Sequence, residues 1–182
     1  MKVTPCGLAG LLLVEPDVFG DARGFFLETW QEQRYREAGI AGPFVQDNVS
    51  FSRRGILLGL HFQNPSAQCK LMSVLEGEVF DVAVDLRRSS PTFGRWHGVR
   101  LSGENHAQFY VPPGFAHGFQ VVSEAALVFY KCTDFYTPRH ELAIAWNDPA
   151  IGVQWPIAEP VLSAKDRCGM RLSDVPADRL PP

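Results

Sequence analysis

The sequence predicts an all-β fold, a sandwich or jelly roll, with one or a few short helices. Three observations carry this. Apolar and polar residues alternate with a period of two along several stretches, such as Phe44 to Ser52. About ten stretches of strand length follow one another at close spacing, separated by Gly, Pro, Asn and Asp turn signals. One stretch alone carries full helix signals: Thr29 to Ala38, with Thr29 as cap, Glu32 three residues on and Gly39 as the stop. A β-barrel of this kind has a mouth where a ligand can sit among inward-facing side chains.

The elements follow in chain order. Leu11 to Val14 reads as a strand ended by Pro16. Val18 to Gly24 reads as a turn, and Phe25 to Glu28 as a short, strongly apolar strand before the helix. In Phe44 to Ser52 the polar face, Gln46, Asn48, Ser50 and Ser52, is built from small hydrogen-bonding groups rather than charges, which suits a ligand-lining strand as well as a solvated one. Ile56 to Leu60 and Lys70 to Leu75 read as the two strands of a hairpin around the Asn64-Pro65-Ser66 turn, which would put His61 and Lys70 on neighbouring strands. Glu76-Gly77-Glu78 turns into Val79 to Arg87, where Phe80, Val82, Val84 and Leu86 share one face and Asp81 and Asp85 the other. Trp96 to Leu101, Gln108 to Val111, Gln120 to Ser123 and Ala126 to Thr133 are further strands. Pro112 to Phe119 is a Pro/Gly corner carrying His117, and the Pro-rich tail from Asn147 is expected to drape over the surface.

Composition bounds the function. At 182 residues, 46% hydrophobic and 20% charged, the chain reads as one globular domain spanning 1–182. A net charge of −3 without a basic patch argues against nucleic acid as a partner. The longest apolar run, Leu8 to Val14, is too short to span a bilayer, and the N-terminus is a poor secretory signal, so a cytoplasmic location is expected. The four cysteines, Cys6, Cys69, Cys132 and Cys168, have no CxxC spacing, which suggests reduced packing residues rather than a disulfide frame or zinc site.

His61 beside Lys70 is the pairing that suggests chemistry. A base beside a permanent cation is what enolate chemistry needs. The plain structural reading is that both are surface polar groups at strand ends.

Pro112-Pro113-Gly114-Phe115-Ala116-His117 fits Pro-x-Gly-x-x-His, the second signature of the cupins. The first signature is broken: Gln63 stands where a second histidine belongs, and Lys70 stands near the place of the acidic ligand. Two separated histidines beside a cation are a poor metal site. The chain thus resembles a cupin-type jelly roll without a metal.

The resemblance then narrows. Phe19 to Glu28, Gln46 to Ser50, Gly59 to Gln63, Ala67 to Leu71, Phe80 to Arg87, Ser90 to Gly94, Pro113 to Phe119, Tyr130 to Asp134, Trp146 to Pro149 and Leu162 to Asp166 resemble, in order, the dTDP-4-dehydrorhamnose 3,5-epimerase family. The resemblance implies a cofactor-free epimerase of dTDP-4-keto-6-deoxy-D-glucose in dTDP-L-rhamnose biosynthesis. It implies His61 as base, Tyr130 as the opposite-face acid, Lys70 as the enolate's cation and Asp166 as the residue orienting His61. It assigns Arg23, Glu28, Gln46, Asn48, His117, Glu141 and Lys165 to holding the nucleotide-sugar and Tyr136 to stacking on thymine. It also implies a homodimer with exchanged N-terminal strands, through which Arg23 and Glu28 can come from the neighbouring subunit. One position departs: Leu58 stands where the family carries an arginine expected to contact the diphosphate. Inversion at C3 alone or C5 alone, a metal-dependent cupin and a non-catalytic sugar-nucleotide binder are the alternative readings.

Overall fold

The structure is a computed structural model and describes residues 1–40 and 42–182. Its strands are β1 (Lys2–Pro5), β2 (Leu12–Glu15), β3 (Val18–Asp21), β4 (Gly24–Leu27), β5 (Gln46–Arg53), β6 (Ile56–Gln63), β7 (Lys70–Glu76), β8 (Glu78–Asp85), β9 (Trp96–Ser102), β10 (Gln108–Val111), β11 (Phe115–Val121), β12 (Ala125–Cys132), β13 (Glu141–Ala143) and β14 (Val161–Leu162). Two short α-helices join them, α1 (Glu32–Glu37) and α2 (Ala164–Arg167).

The strands form two facing sheets. One runs β1-β2-β10-β7-β12-β5, and the other β13-β6-β11-β8-β9, with β14 parallel beside β6. Among the described residues, the β3–β4 hairpin pairs with neither. The expected jelly-roll layering is therefore present. Period-two alternation sends Met72, Val74, Val79, Ala83, Phe109 and Phe119 between the sheets, where they are buried together. The opposite face of β8 and its neighbours is also buried: Val82, Val84 and Leu86 meet Ile151, Leu172 and Leu180 of the C-terminal segment. That segment is thus a packed layer rather than a surface drape. Helix α1 covers the other sheet, with Tyr35 and Ile40 against Val14, Leu71 and Tyr110.

Several sequence expectations change. β6 and β7 are not a hairpin. β6 pairs with β11, β13 and β14, whereas β7 pairs with β10 and β12. His61 and Lys70 therefore reach the same space from opposite sheets. The apolar runs around the Asn64-Pro65-Ser66 turn fit a sheet-crossing connection as well as a hairpin, and local pattern cannot separate the two. The helix begins at Glu32, capped by the Gln31 side chain accepting from Arg34 N at 2.6 Å, not by Thr29. The Thr29 carbonyl instead accepts from Tyr35 Oη and Gln108 Nε2. The turn read over Val18 to Gly24 narrows to the tip of the β3–β4 hairpin.

Two glycines let the strands approach as they do. A Cβ on Gly59 would lie 2.6 Å from Gly118 Cα, so β6 and β11 touch backbone to backbone just before His61 meets His117 in register. Gly77 turns β7 into β8 at φ 78°, and a Cβ there would lie 2.0 Å from the Ala125 carbonyl oxygen.

Candidate active site

Between the sheets lies a cavity of about 280 Å³ open at one end. β5 lines it with Gln46 and Asn48, β6 with His61, β7 with Lys70, β11 with His117 and β12 with Tyr130. Tyr136 and Glu141 complete the wall. Eight of the twelve residues singled out in the sequence thus line one cavity. Seven of them sit on strands of the two sheets, and Tyr136 comes from the loop between β12 and β13.

Asp166 stands behind His61. Its Oδ1 is 2.6 Å from His61 Nε2 and accepts more weakly from the Gly59 amide at 3.4 Å. Its Oδ2 accepts from the Ser163 hydroxyl at 2.6 Å. Burial alone would raise the Asp166 pKa, but the hydrogen bonds from His61 and Ser163 outweigh it and hold the carboxyl below its ordinary value. An ionised carboxylate only accepts, so Nε2 donates to it, and in the neutral imidazole Nδ1 is the nitrogen with the lone pair. Glu141 Oε1 lies 3.8 Å from that Nδ1. Ser163 is a residue the sequence reading passed over as a turn. Its signal was present: Ser-Ala-Lys-Asp is a capping pattern, and Ser163 Oγ caps α2 by accepting from the Asp166 amide at 3.1 Å.

The remaining groups form a charged lining. Burial lowers the Lys70 pKa, opposed by Cys132, Asp81 and Glu141, while Lys165 adds to the lowering. Burial raises the Tyr130 hydroxyl, and Cys132 and Glu141 push it the same way, so it stays protonated. His117 is buried with Nε2 2.8 Å from Asp81 Oδ1. Its pKa is lowered chiefly by burial, against the opposing pull of Asp81. Asp81 and Asp85, paired on one face in the sequence, are both fully buried and have different partners. Asp81 holds His117, while Asp85 ties down Arg87, Ser90 and Thr92.

At the rim, Glu141 Oε2 accepts from Tyr136 Oη at 2.8 Å and from Lys165 Nζ, whose ammonium also sits 6.0 Å from the centre of the Tyr136 ring. Gln46 Oε1 accepts from the Tyr136 amide at 3.0 Å. Lys165 and Tyr136 are thereby fixed beside each other at the entrance. Gln63, the residue that breaks the histidine pair, binds the entrance loop by donating to Ser66 O at 2.8 Å and accepting from Thr137 N at 2.7 Å. Arg23 and Glu28 are not brought to the cavity by their own chain. Arg23 sits at the β3–β4 tip, 90% exposed, paired with Asp21 at 2.5 Å, and Glu28 pairs with Arg34 at 2.6 Å. Leu58 packs against the central core and lines a neighbouring cavity that shares His61, Lys70, His117 and Tyr130 with the main one.

The dTDP-4-dehydrorhamnose 3,5-epimerase family profile matches residues 5–174. The dTDP-4-dehydrorhamnose 3,5-epimerase of Pseudomonas aeruginosa is 54% identical over 176 residues, covering 96% of this chain and 97% of that one. The protein of that name from Methanothermobacter thermautotrophicus is 50% identical, covering 88% of each. The crystal structure of the Legionella pneumophila dTDP-6-deoxy-D-glucose-3,5-epimerase in complex with dTDP-4-keto-L-rhamnose superposes with a TM-score of 0.96 at 51% identity, over 99% of this chain and 97% of that chain. With its jelly roll, its histidine–aspartate pair and these relatives, the chain belongs to the dTDP-4-dehydrorhamnose 3,5-epimerase family.

Proposed function

We propose that the protein inverts C3 and C5 of dTDP-4-keto-6-deoxy-D-glucose to give dTDP-4-keto-L-rhamnose, without a cofactor. The observation that carries this is His61, held by Asp166 at 2.6 Å, facing a cavity shared with Lys70 and Tyr130. His61 Nδ1 takes the proton from the carbon beside the ketone. Asp166 and Glu141, both held below their ordinary pKa, stabilise the imidazolium that results. Lys70 balances the charge on the enolate oxygen. Tyr130 Oη donates a proton from the other side, and its raised pKa keeps that proton available.

Tyr136 and Lys165 at the entrance suit the thymine ring and a phosphate. The His117–Asp81 pair shapes the inner wall behind the sugar. Arg23 and Glu28 reach the nucleotide-sugar from a second copy of the chain, in a homodimer joined by its N-terminal strands. Proton NMR in deuterated water, following exchange at C3 and C5 separately with this substrate, tests the reaction and separates double from single inversion. His61→Asn is expected to remove exchange at both carbons, by about 100- to 10,000-fold, in a folded protein. Near-normal exchange in that variant takes the base role from His61. Stoichiometric iron, zinc or manganese in protein purified without added metal favours the metal-dependent reading instead.

A further inference from the structure

Tyr136 stands at the cavity entrance with half of its surface exposed, so core packing does not hold it there. Its hydroxyl bonds Glu141, and its backbone is held on both sides. Peptide groups are planar, so fixing the two that flank a residue fixes its φ and ψ. The peptide before Tyr136 is bound at both of its polar ends. Phe135 O accepts from Gln63 Nε2 at 3.3 Å, and Tyr136 N donates to Gln46 Oε1 at 3.0 Å. The peptide after it is bound through Thr137 N, which donates to Gln63 Oε1 at 2.7 Å. Gln63 Nε2 also donates to Ser66 O at 2.8 Å, on the connection that leaves β6. One side chain, 5% exposed at the end of β6, thus joins two entrance segments and brackets Tyr136. Both hydrogens of its amide and its oxygen are engaged by backbone, so Gln63 acts on the loop rather than on a bound molecule.

We propose that Gln63 is a positioning residue for nucleotide binding, holding Tyr136 in place for the thymine ring and acting on the reaction only through that tyrosine. The inference rests on the thymine contact proposed above. β6 then carries the base His61 and the fastener of the nucleotide loop two residues apart. A carboxylate at position 63 keeps the size of the amide but only accepts, and it would face two carbonyl oxygens, those of Ser66 and Phe135. The loop stays attached without the amide, because Asn64 N donates to His140 O at 3.0 Å and β13 pairs with β6. Replacing Gln63 therefore loosens Tyr136 without detaching the segment that carries it.

The test is calorimetric titration with dTDP, which needs no turnover, on the wild type, Gln63→Glu, Tyr136→Ala and the double variant. Gln63→Glu is expected to weaken dTDP binding by about tenfold, the size of one or two lost hydrogen bonds. In steady-state kinetics KM should rise by the same factor while kcat stays within about twofold. In the Tyr136→Ala background the same change should cost less than about twofold, because the group it positions is gone. Gln63→Met, uncharged and of similar length, should match Gln63→Glu, and it carries the cycle alone if the glutamate variant does not fold. The full loss in both backgrounds overturns the proposal, since Gln63 then acts independently of Tyr136. A fall in kcat at unchanged KM also overturns it, as does wild-type affinity in Gln63→Met, which would trace any loss in Gln63→Glu to its charge. Wild-type protein that does not bind dTDP overturns the proposed function instead. Equal binding by the wild type and Tyr136→Ala removes the thymine contact, and this inference with it.

Discussion

At the scale of single residues, the site depends on which proton each group holds. Asp166 decides the tautomer of His61, because an ionised carboxylate at 2.6 Å can only accept. Asp166→Asn reverses this freedom, since an amide can also donate, so exchange at both carbons should fall together. Tyr130 predicts a split instead. A base that returns its own proton regenerates substrate, so inversion requires a donor on the other face. Tyr130→Phe removes only a hydroxyl and leaves the half-buried ring in place. The variant should still wash deuterium into the sugar while inversion at C5 falls sharply. NMR of exchange beside chiral analysis of the product measures both. Equal losses would move Tyr130 into binding or enolate formation, and no loss would leave it a packing aromatic.

At the scale of elements, the β8–β9 connection is organised by one carboxylate. Asp85 ends β8 fully buried and accepts from Arg87 Nε at 2.9 Å, Ser90 Oγ at 2.6 Å and Thr92 Oγ1 at 2.6 Å. Arg87 in turn lies over the Phe115 ring at 4.6 Å, so the loop is tied to β11. Burial would raise the Asp85 pKa, but these donors lower it to about 2. A depressed carboxyl contributes stability that is complete above its unfolded value near 3.9 and lost as pH falls toward the folded value. A displacement of that size corresponds to about 2 kcal/mol. Asp85→Asn should therefore lower Tm by about 4 to 8 °C at pH 7 and by much less near pH 2. An equal loss at both pH values would mean that shape, not charge, holds the loop.

The same elements show what a sequence can and cannot disclose. Alternation put Gln46 and Asn48 together on the polar face of one strand, because a strand buried on one side must alternate. It put Asp81 and Asp85 on one face but could not say whether that face met a buried cation or solvent. β8 is buried on both faces, so a polar residue there is not a solvent residue, and only the partner strands reveal its company. Which strands face each other is a matter of long-range pairing, so the meeting of His61 with Lys70 from opposite sheets lay outside any local pattern.

At the scale of the whole molecule, the apolar surface is unevenly spread. Among the described residues the β3–β4 hairpin pairs with no other strand, and it exposes Phe19 at 64%, Phe25 at 60% and Phe26 at 68%. β5 is the last strand of its sheet among the described residues and exposes Val49 at 64% and Phe51 at 66%. An open edge and a loose apolar hairpin on the same molecule suit pairing between two copies. The hairpin tip carries Arg23, whose ion pair with Asp21 is fully solvated and therefore weak, so the guanidinium is free to exchange a surface carboxylate for a phosphate. A dimer of about twice 20.2 kDa is thus expected by light scattering at micromolar concentration. Phe26→Asp places a charge in the contact and should give a folded monomer, because Phe26 is largely exposed and outside the core of its own chain. On the proposed dimer, that monomer should lose exchange at both carbons by tenfold or more through a raised KM, with Arg23 and Glu28 withdrawn from the neighbouring cavity. Arg23→Ala in the intact dimer should reproduce the KM effect without changing the mass. A monomeric variant with wild-type kinetics would show that each chain binds its substrate alone, and Arg23 would then have no part in the site.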